Sequence, residues 1–140
     1  LRERDEYFRR MIENTSDFVM HVDRTAAVTY VGPSVTRMLG YAPEEFLGTR
    51  PPDNVHPDDV PRVFDDFGWI VAHPGESYNS TFRIRHKDGT YRVFEAIGRT
   101  LSPSGPEEGV VAFARDVTER RAAESALRRA TAEAEQAREE

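Results

Sequence analysis

Alternating hydrophobic and polar positions predict β-strands near the start of the chain and again in its second half. Residues 18–22 and 28–31 form two short apolar runs, which we interpret as a first hairpin. Apolar and polar residues then alternate on both sides of an Asp-Gly pair at residues 88–89, the dipeptide most typical of a hairpin turn. A loop rich in Ser, Pro and Gly is predicted at residues 102–109, and a last strand follows at residues 110–114.

Hydrophobic spacing of three and four residues predicts helices between and around these strands. A short amphipathic helix is expected at residues 4–14, and further short helices are expected within residues 33–47. A longer helix is predicted to begin after residue 59 and to end near residue 73. Its side chains predicted to point inward are Val60, Val63, Phe64, Phe67, Ile70 and Val71.

Proline and glycine determine the expected connections. Residues 48–59 contain three prolines, so loop and short turns are predicted there until Asp58 or Asp59 caps the following helix. The turn between the first two strands contains no glycine. Ala26 or Ala27 must therefore avoid a positive φ angle or adopt one with strain.

Residues 118–140 differ from the rest of the chain because they contain no Gly or Pro and are rich in Ala, Glu and Arg. They predict a long exposed helix that projects about 33 Å from the core, at about 1.5 Å per residue. A heptad pattern on this helix predicts a weak, alanine-rich coiled-coil seam. The seam residues are Ala123, Leu127, Ala130, Ala134 and Ala137.

This order of elements predicts an α+β fold on one antiparallel sheet, because strands and helices do not alternate as they would around a parallel sheet. We expect an N-terminal amphipathic helix at residues 1–15, a core domain at residues 16–117 and a C-terminal helix at residues 118–140. With 140 residues, the chain has room for one hydrophobic core.

Composition and charge narrow the function classes. The formal net charge of −6 argues against general binding to nucleic acid or anionic lipid. The chain contains no cysteine, which excludes disulfides and thiolate chemistry. No apolar stretch approaches about 18 residues and no signal peptide begins the chain, so we expect a cytoplasmic segment without membrane contact. Because the first residue is not Met, we expect it to be part of a longer protein.

Six stretches in order along the chain resemble the PAS domain family. The resemblance covers residues 7–121 and implies a five-stranded antiparallel sheet with short helices on one face, an N-terminal amphipathic helix and a C-terminal coiled-coil exit helix. The stretches are FRRMIENTSD at residues 8–17, VTYVGPSVTRMLGY at 28–41, PEEFLG at 43–48, HPDD at 56–59, FRIRHKDGTYRVF at 82–94 and DVTERR at 116–121.

The resemblance raises the question of a cofactor in the cavity between sheet and helices. A photoactive flavin adduct needs a Cys after the PEEFLG stretch, and this chain has none. The contacts of a noncovalent flavin align with Ile84, Phe94 and Ala114, which cannot hydrogen-bond through their side chains. Haem would need an axial ligand such as His73, for which a structural role is favoured. No two histidines have metal-ligand spacing on one helix.

The remaining candidate is an apolar pocket that holds an unknown small molecule or none. Close packing of the same side chains is an equally weighted interpretation, because filled cores and pockets use the same residue types. Trp69 is assigned either to the core or to a dimer contact. The candidate lining residues are Met20, Met38, Leu39, Phe46, Phe67, Phe82, Ile84, Phe94 and Ala96.

The helix start after the last strand is the candidate for signal relay. Asp116 and Thr118 can satisfy unpaired amide hydrogens there. The resemblance implies that the exit helix, which continues through Glu119 and Arg120, is shared by two subunits and leads into an effector domain. We expect a homodimer that uses the outer sheet face, the first helix and the heptad seam. Its candidate contacts are Phe8, Ile12, Val93, Ile97, Val111, Phe113, Ala123, Leu127 and Ala130.

The resemblance implies a sensory input domain of a multidomain bacterial signalling protein, such as a sensor histidine kinase of a two-component system or a cyclic-dinucleotide enzyme. A pocket or partner event would alter the sheet, and the exit helix would pass the change on. The alternative is a ligand-free scaffold that dimerises and spaces its neighbours. We expect no enzymatic activity from this chain itself, because it contains neither a nucleophile elbow nor a phosphate loop.

Overall fold

A computed structural model describes residues 18–139, and within them five strands and five helices follow one another. The helix expected at residues 4–14 lies outside the described residues. The strands are β1 (Phe18–Val22), β2 (Val28–Val31), β3 (Tyr78–Arg85), β4 (Tyr91–Ser102) and β5 (Gly105–Asp116), and the helices are α1 (Ser34–Leu39), α2 (Pro43–Phe46), α3 (Pro51–Asn54), α4 (Val60–Ala72) and α5 (Thr118–Glu139).

The five strands form one antiparallel sheet in the order β2-β1-β5-β4-β3. The first and last strands of the sequence meet in its middle, because β1 pairs with β5 from Phe18 opposite Ala114 to Val22 opposite Val110. The predicted α+β fold on one antiparallel sheet is confirmed.

The hairpin between β4 and β5 is longer than the sequence predicts. A loop is predicted at residues 102–109, but Gly105 already pairs with Ser102 at the start of β5. Pro106 fits into this strand because β1 reaches β5 at Val110, so the first part of β5 is an edge, where proline is tolerated. The predicted loop is therefore wrong, and a two-residue turn replaces it.

The first hairpin turn contains a non-glycine residue with positive φ. Ala26 adopts a φ of 67°, so the turn takes the strained conformation of the two predicted. The Asp23 carboxylate accepts hydrogen bonds from the Thr25 hydroxyl and from the backbone N–H groups of Thr25 (2.8 Å) and Ala27 (3.2 Å). The Thr25 hydroxyl, followed by these N–H groups, lowers the pKa of Asp23.

The hydrophobic core lies between one face of the sheet and the helices. Phe18 of β1 is completely buried and packs edge-on against Phe46 of α2, with 5.6 Å between ring centroids, and against Phe94 of β4 at 6.0 Å. Aromatic contacts of this kind add to the free energy gained by burial. The buried core residues are Phe18, Val28, Val31, Val35, Leu39, Phe46, Val55, Phe82, Ile84, Phe94, Ala96 and Ala114.

Helix α4 places most of its predicted apolar side chains toward the core. Ile70 is buried, whereas Phe64 is 41% exposed. Phe64 follows Val63 by one residue, about 100° further around the helix, and this rotation takes it to the edge of the apolar face. The prediction that Phe64 points inward is therefore wrong.

An ion pair joins the start of α4 to β3. Asp59 precedes the first helical residue, but its carboxylate makes no capping bond, so the predicted cap by Asp59 is wrong. The carboxylate accepts hydrogen bonds from the Arg83 backbone N–H (2.9 Å) and from the Arg83 guanidinium (3.0 and 2.9 Å). Charge-assisted bonds of this kind are stronger than a neutral cap. The Arg83 side chain is the main reason why the pKa of Asp59 falls to about 2.

Replacing Asp59 by Asn should lower the free energy of unfolding by about 1–3 kcal/mol at pH 7, because the largely buried carboxylate loses its charge-assisted bonds to Arg83. The pKa of this carboxyl is 3.8 without the pair and about 2 in the fold. Its stabilisation is therefore complete well above pH 3.8 and disappears as the pH falls through 2. Urea denaturation between these pH values measures the difference. The control is Asp58→Asn, whose side chain is 81% exposed, and equal losses in both variants would contradict the assignment.

Candidate functional site

A small cavity lies between the inner face of the sheet and helices α2, α3 and α4. Its volume is about 110 Å³, and its wall is mainly apolar. Side chains that are far apart in the sequence therefore meet around one space. Six of the predicted pocket residues line it, and they are Met20, Phe46, Phe67, Phe82, Ile84 and Ala96.

Three predicted pocket residues lie elsewhere. Leu39 and Phe94 are completely buried in the core, and Met38 packs against that core from α1. None of the three lines the cavity. They belong to the close-packed core and not to the wall of the cavity.

The size of the cavity limits what it can hold. A cavity of about 150 Å³ accommodates benzene, and sites for drug-sized ligands measure about 300–1,000 Å³. At 110 Å³, this cavity matches a molecule of about five non-hydrogen atoms. Part of the predicted pocket is thus close-packed core, and part of it borders an actual space.

Polar side chains at the cavity wall were not among the sequence candidates. Asn54 donates a hydrogen bond to the Thr49 hydroxyl at 2.8 Å, and the Ser80 hydroxyl donates to the Asp66 carboxylate at 2.6 Å. The nearby Asp66 carboxylate also raises the pKa of Tyr78. All five residues line the cavity. Strand alternation could have revealed Tyr78 and Ser80, because both share a face of β3 with two predicted pocket residues.

His73, the candidate haem ligand, does not line the cavity. It follows α4, where its Nδ1–H donates to the Trp69 carbonyl at 2.8 Å and its ring stacks on the Trp69 ring with 4.0 Å between centroids. Trp69 also contacts Tyr78, at 5.1 Å between centroids. Within residues 18–139, no three His, Asp or Glu side chains are grouped closely enough to bind a metal ion.

The end of β5 and the start of α5 form a hydrogen-bonded junction, which we call the clamp (Arg92, Val93, Asp116, Thr118 and Glu119). The Thr118 hydroxyl accepts from the Val93 backbone N–H at 2.8 Å and donates to Asp116 Oδ1 at 2.6 Å. Arg92 donates to Asp116 Oδ2 at 2.8 Å and to Glu119 Oε1 at 2.6 Å. The start of α5 is therefore bonded to β4 as well as to the end of β5.

Sequence reasoning missed two residues that hold α5, Arg92 and Glu95. Glu95 accepts a hydrogen bond from Arg120 in the first turn of the helix. Side chains alternate between the two faces of a strand, so Arg92 and Glu95, three positions apart, lie on opposite faces of β4. The start of α5 is therefore bonded from both faces of this strand. Burial raises the pKa of Asp116, but hydrogen bonds from Arg92 and Thr118 outweigh burial and hold this pKa below its ordinary value. The register between β4 and β5 could have revealed both residues.

Helix α5 extends away from the domain. It contains 22 residues, a length of about 33 Å, and none of its side chains is buried. Ala123, Leu127 and Ala130 of the predicted seam are exposed, Leu127 by 68%. In the part of the chain that the structure describes, no helix combines the length and the apolar character of a membrane span.

The outer face of the sheet forms a concave surface with a volume of about 850 Å³. Ile97 is 51% exposed on this surface, whereas Phe113 is half-buried and Val111 is buried. Val93 is half-buried on the same face of β4. Ile97 is therefore the predicted dimer contact with the largest exposed fraction on this face. The predicted contacts outside the described residues are Phe8 and Ile12.

Thr118→Val removes the hydroxyl that accepts from the Val93 N–H but keeps a similar shape. The free energy of unfolding should fall by about 1–2 kcal/mol, and the Val93 amide should lose protection against hydrogen exchange. Thr118→Ser retains the hydroxyl and should retain most of this protection. Urea denaturation and NMR-detected exchange measure the two effects. Equal protection in the Val and Ser variants would show that the hydroxyl does not hold the junction.

Comparison with known proteins assigns most of this chain to a family. A profile described as the PAS fold matches residues 28–114. The chain is 30% identical over 89 residues to the White collar 2 protein of Neurospora crassa. This matched stretch covers 64% of this chain and 17% of that protein. The chain thus spans less than a fifth of the length of this curated relative.

Two solved structures share the architecture. A sensory box histidine kinase/response regulator from Burkholderia thailandensis is 26% identical, with a TM-score of 0.71 and coverage of 92% of this chain and 98% of that chain. The PAS domain of a protein from Colwellia psychrerythraea is 16% identical, with a TM-score of 0.70 and coverage of 83% and 98%. The profile match over residues 28–114 together with this shared architecture shows that the chain belongs to the PAS-fold family.

Proposed function

We propose that this PAS sensory domain is the cytoplasmic input domain of a multidomain bacterial signal-transduction protein, with a sensor histidine kinase as the parent. The similarity to a sensory box histidine kinase/response regulator, at 26% identity over 92% of the chain, supports this parent. The chain supplies the sensing part, and the effector lies in another domain. A diguanylate cyclase is the other parent that this arrangement suits.

One structural observation carries the proposal: β4 and β5 border the cavity, and the start of β4 and the end of β5 form part of the clamp. Ala96 of β4 and Ala112 of β5 line the cavity. Ala96 pairs with Ala114, which lies two residues before Asp116 of the clamp. An occupant that moves these strands therefore moves the residues that hold the start of α5.

The clamp converts a small strand movement into a larger movement of the helix. Arg92 and Glu95 lie on opposite faces of β4 and contact Glu119 and Arg120, respectively. A tilt of the strand end therefore acts unequally on the two sides of α5. Because the helix is about 33 Å long, a tilt about Thr118 moves its far end more than the strand. Interface shifts of about 1–2 Å are typical of such switches.

The proposal includes a homodimer that pairs through the outer sheet face, the N-terminal segment with Phe8 and Ile12, and the heptad seam. The exposed fractions of Ile97 (51%) and Leu127 (68%) support it, because apolar side chains gain free energy when a second copy covers them. A projecting helix also gains most of its stability from packing. The seam would then bring two copies of α5 side by side.

A ligand-free dimerisation scaffold is the second candidate function. The cavity of 110 Å³ favours it, because this volume lies below that of most ligand sites. On this alternative the cavity is a packing defect, and α5 only spaces the neighbouring domains. The two functions differ in whether α5 responds when the cavity is filled.

Filling the cavity should move α5. Gly98→Ala places a methyl group 3.1 Å from Ile70 Cδ1 at the cavity wall, so the Ile70 side chain of α4 must give by a few tenths of an ångström. Because the chain lacks cysteine, Thr36→Cys and Ala132→Cys provide a unique spin-label pair between the domain and α5. Pulsed EPR on labelled chains diluted into unlabelled chains should show a change of about 1–2 Å or more in the mean distance.

Gly68→Ala is the matched control, because a methyl group at this position meets no atom within 4 Å. It should leave the distance between the labels unchanged. Thr118→Val should weaken the response to Gly98→Ala, because it removes the hydroxyl that bonds to Val93 and Asp116. An unchanged distance in Gly98→Ala would contradict the sensory proposal and favour the scaffold.

Ile97→Glu should weaken the dimer, because it introduces a charge into the outer face. The side chain is 51% exposed in the single chain, so the fold should tolerate the change. Sedimentation equilibrium should show a rise of about tenfold or more in the dimer Kd. Leu47→Glu, at a residue that is 43% exposed away from this face, is the control. A dimer Kd unaltered by Ile97→Glu would rule out the outer face.

A further inference from the structure

A carboxylate borders the mainly apolar cavity. Asp66 of α4 lines the cavity, and its side chain is only 13% exposed. It accepts a hydrogen bond from the Ser80 hydroxyl at 2.6 Å, and Arg62 lies 3.6 Å from the same carboxylate. The Arg62 side chain is 48% exposed. Asp66 therefore connects a partly exposed arginine with the wall of the cavity.

Asp66 has more acceptor capacity than the hydroxyl of Ser80 uses. An ionised carboxylate offers about four lone-pair positions. Besides Ser80, the carboxylate contacts Arg62, and it raises the pKa of Tyr78, which also lines the cavity. A donor inside the cavity can add to these bonds or replace one of them.

Other polar groups of the cavity wall are already bonded to protein partners. Asn54 donates to the Thr49 hydroxyl at 2.8 Å. Arg50 donates to the hydroxyl of Thr25 at 3.0 Å and to its carbonyl at 3.4 Å. Of the polar groups that line the cavity within residues 18–139, Asp66 is therefore the one best suited to recognise a donor.

We propose that the cavity binds a small uncharged molecule of about five non-hydrogen atoms whose single hydroxyl or N–H group donates a hydrogen bond to Asp66. This inference rests on the proposed sensory function and names the class of its ligand. The apolar wall favours a hydrocarbon body, and the carboxylate favours a donor over an acceptor. Arg62 already pairs with Asp66, so a charged ligand would lose its hydration without gaining an unpaired counter-ion.

Probes of equal size test the ligand class. 2-Butanol and 2-butanone have the same number of non-hydrogen atoms, but only the alcohol can donate a hydrogen bond. In titrations of the full chain followed by proton–nitrogen NMR, 2-butanol should shift the amides of cavity residues saturably. 2-Butanone should bind about threefold more weakly or worse, because it cannot use the carboxylate. n-Butylamine and butyrate, which are charged at neutral pH, should cause no saturable shift there.

Two neighbouring aspartates provide a matched pair of variants. Asp66→Asn should bring the affinities for 2-butanol and 2-butanone to within about twofold of each other, because a neutral amide accepts more weakly than a carboxylate. Asp65→Asn, an exposed neighbour on the same helix, should preserve the difference. If Asp66→Asn does not fold, the comparison of probes in the wild-type chain decides the question.

Three outcomes would overturn the proposal. Equal affinities for the alcohol and the ketone in the wild-type chain would remove the role of the donor. Tighter binding of n-butylamine or butyrate would show that the site selects a charge. No saturable shift with any probe would reject this ligand class. The sensory proposal is tested separately, by the response of α5 to Gly98→Ala.

Discussion

The antiparallel pairing of β4 with β5 is the interaction on which the rest of the structure depends. It places Phe94 opposite Asp116 and Ala96 opposite Ala114, so the same two strands supply the core, the cavity wall and the clamp. A slip of one residue in this register would turn every core side chain of a strand to the outer face. The position of α5 is therefore tied to the register that builds the core.

Two aspartate–arginine pairs attach helices to this sheet, with different consequences. Asp59 with Arg83 attaches the start of α4 to β3, and Arg92 of β4 pairs with Asp116 at the end of β5 and with Glu119 of α5. Both carboxylates are largely buried and bonded at more than one atom, so they contribute more than an exposed pair would. Helix α4 is also held by its buried apolar face, whereas α5 buries no side chain. The contacts of its first turn therefore fix the direction of α5.

Hydrophobic periodicity predicts most of this fold, because burial requires the same spacing in every antiparallel sheet and amphipathic helix. The features it misses depend on partners that are distant in the sequence. Asp59 bonds to Arg83 across 24 residues instead of capping its helix, and Pro106 is tolerated in a strand because β1 pairs with β5 only from Val110 onward. Asp66 and Ser80 have the sequence character of surface residues, and only the tertiary structure brings them to the cavity.

The cavity and the clamp involve free energies of similar size, which makes a switch between them physically reasonable. A cavity of 110 Å³ costs the fold about 2–3 kcal/mol at about 24 cal/mol per Å³. An occupant that fills it can recover a free energy of about this size. Each hydrogen bond of the clamp contributes about 1–3 kcal/mol, with the larger values for bonds to charged groups. An occupant can therefore outweigh one or two of these bonds, but it cannot approach the 5–15 kcal/mol or so that holds a domain folded. Because a ligand shifts an equilibrium only by its differential affinity for the two states, this range suits reorientation of α5 on an intact domain.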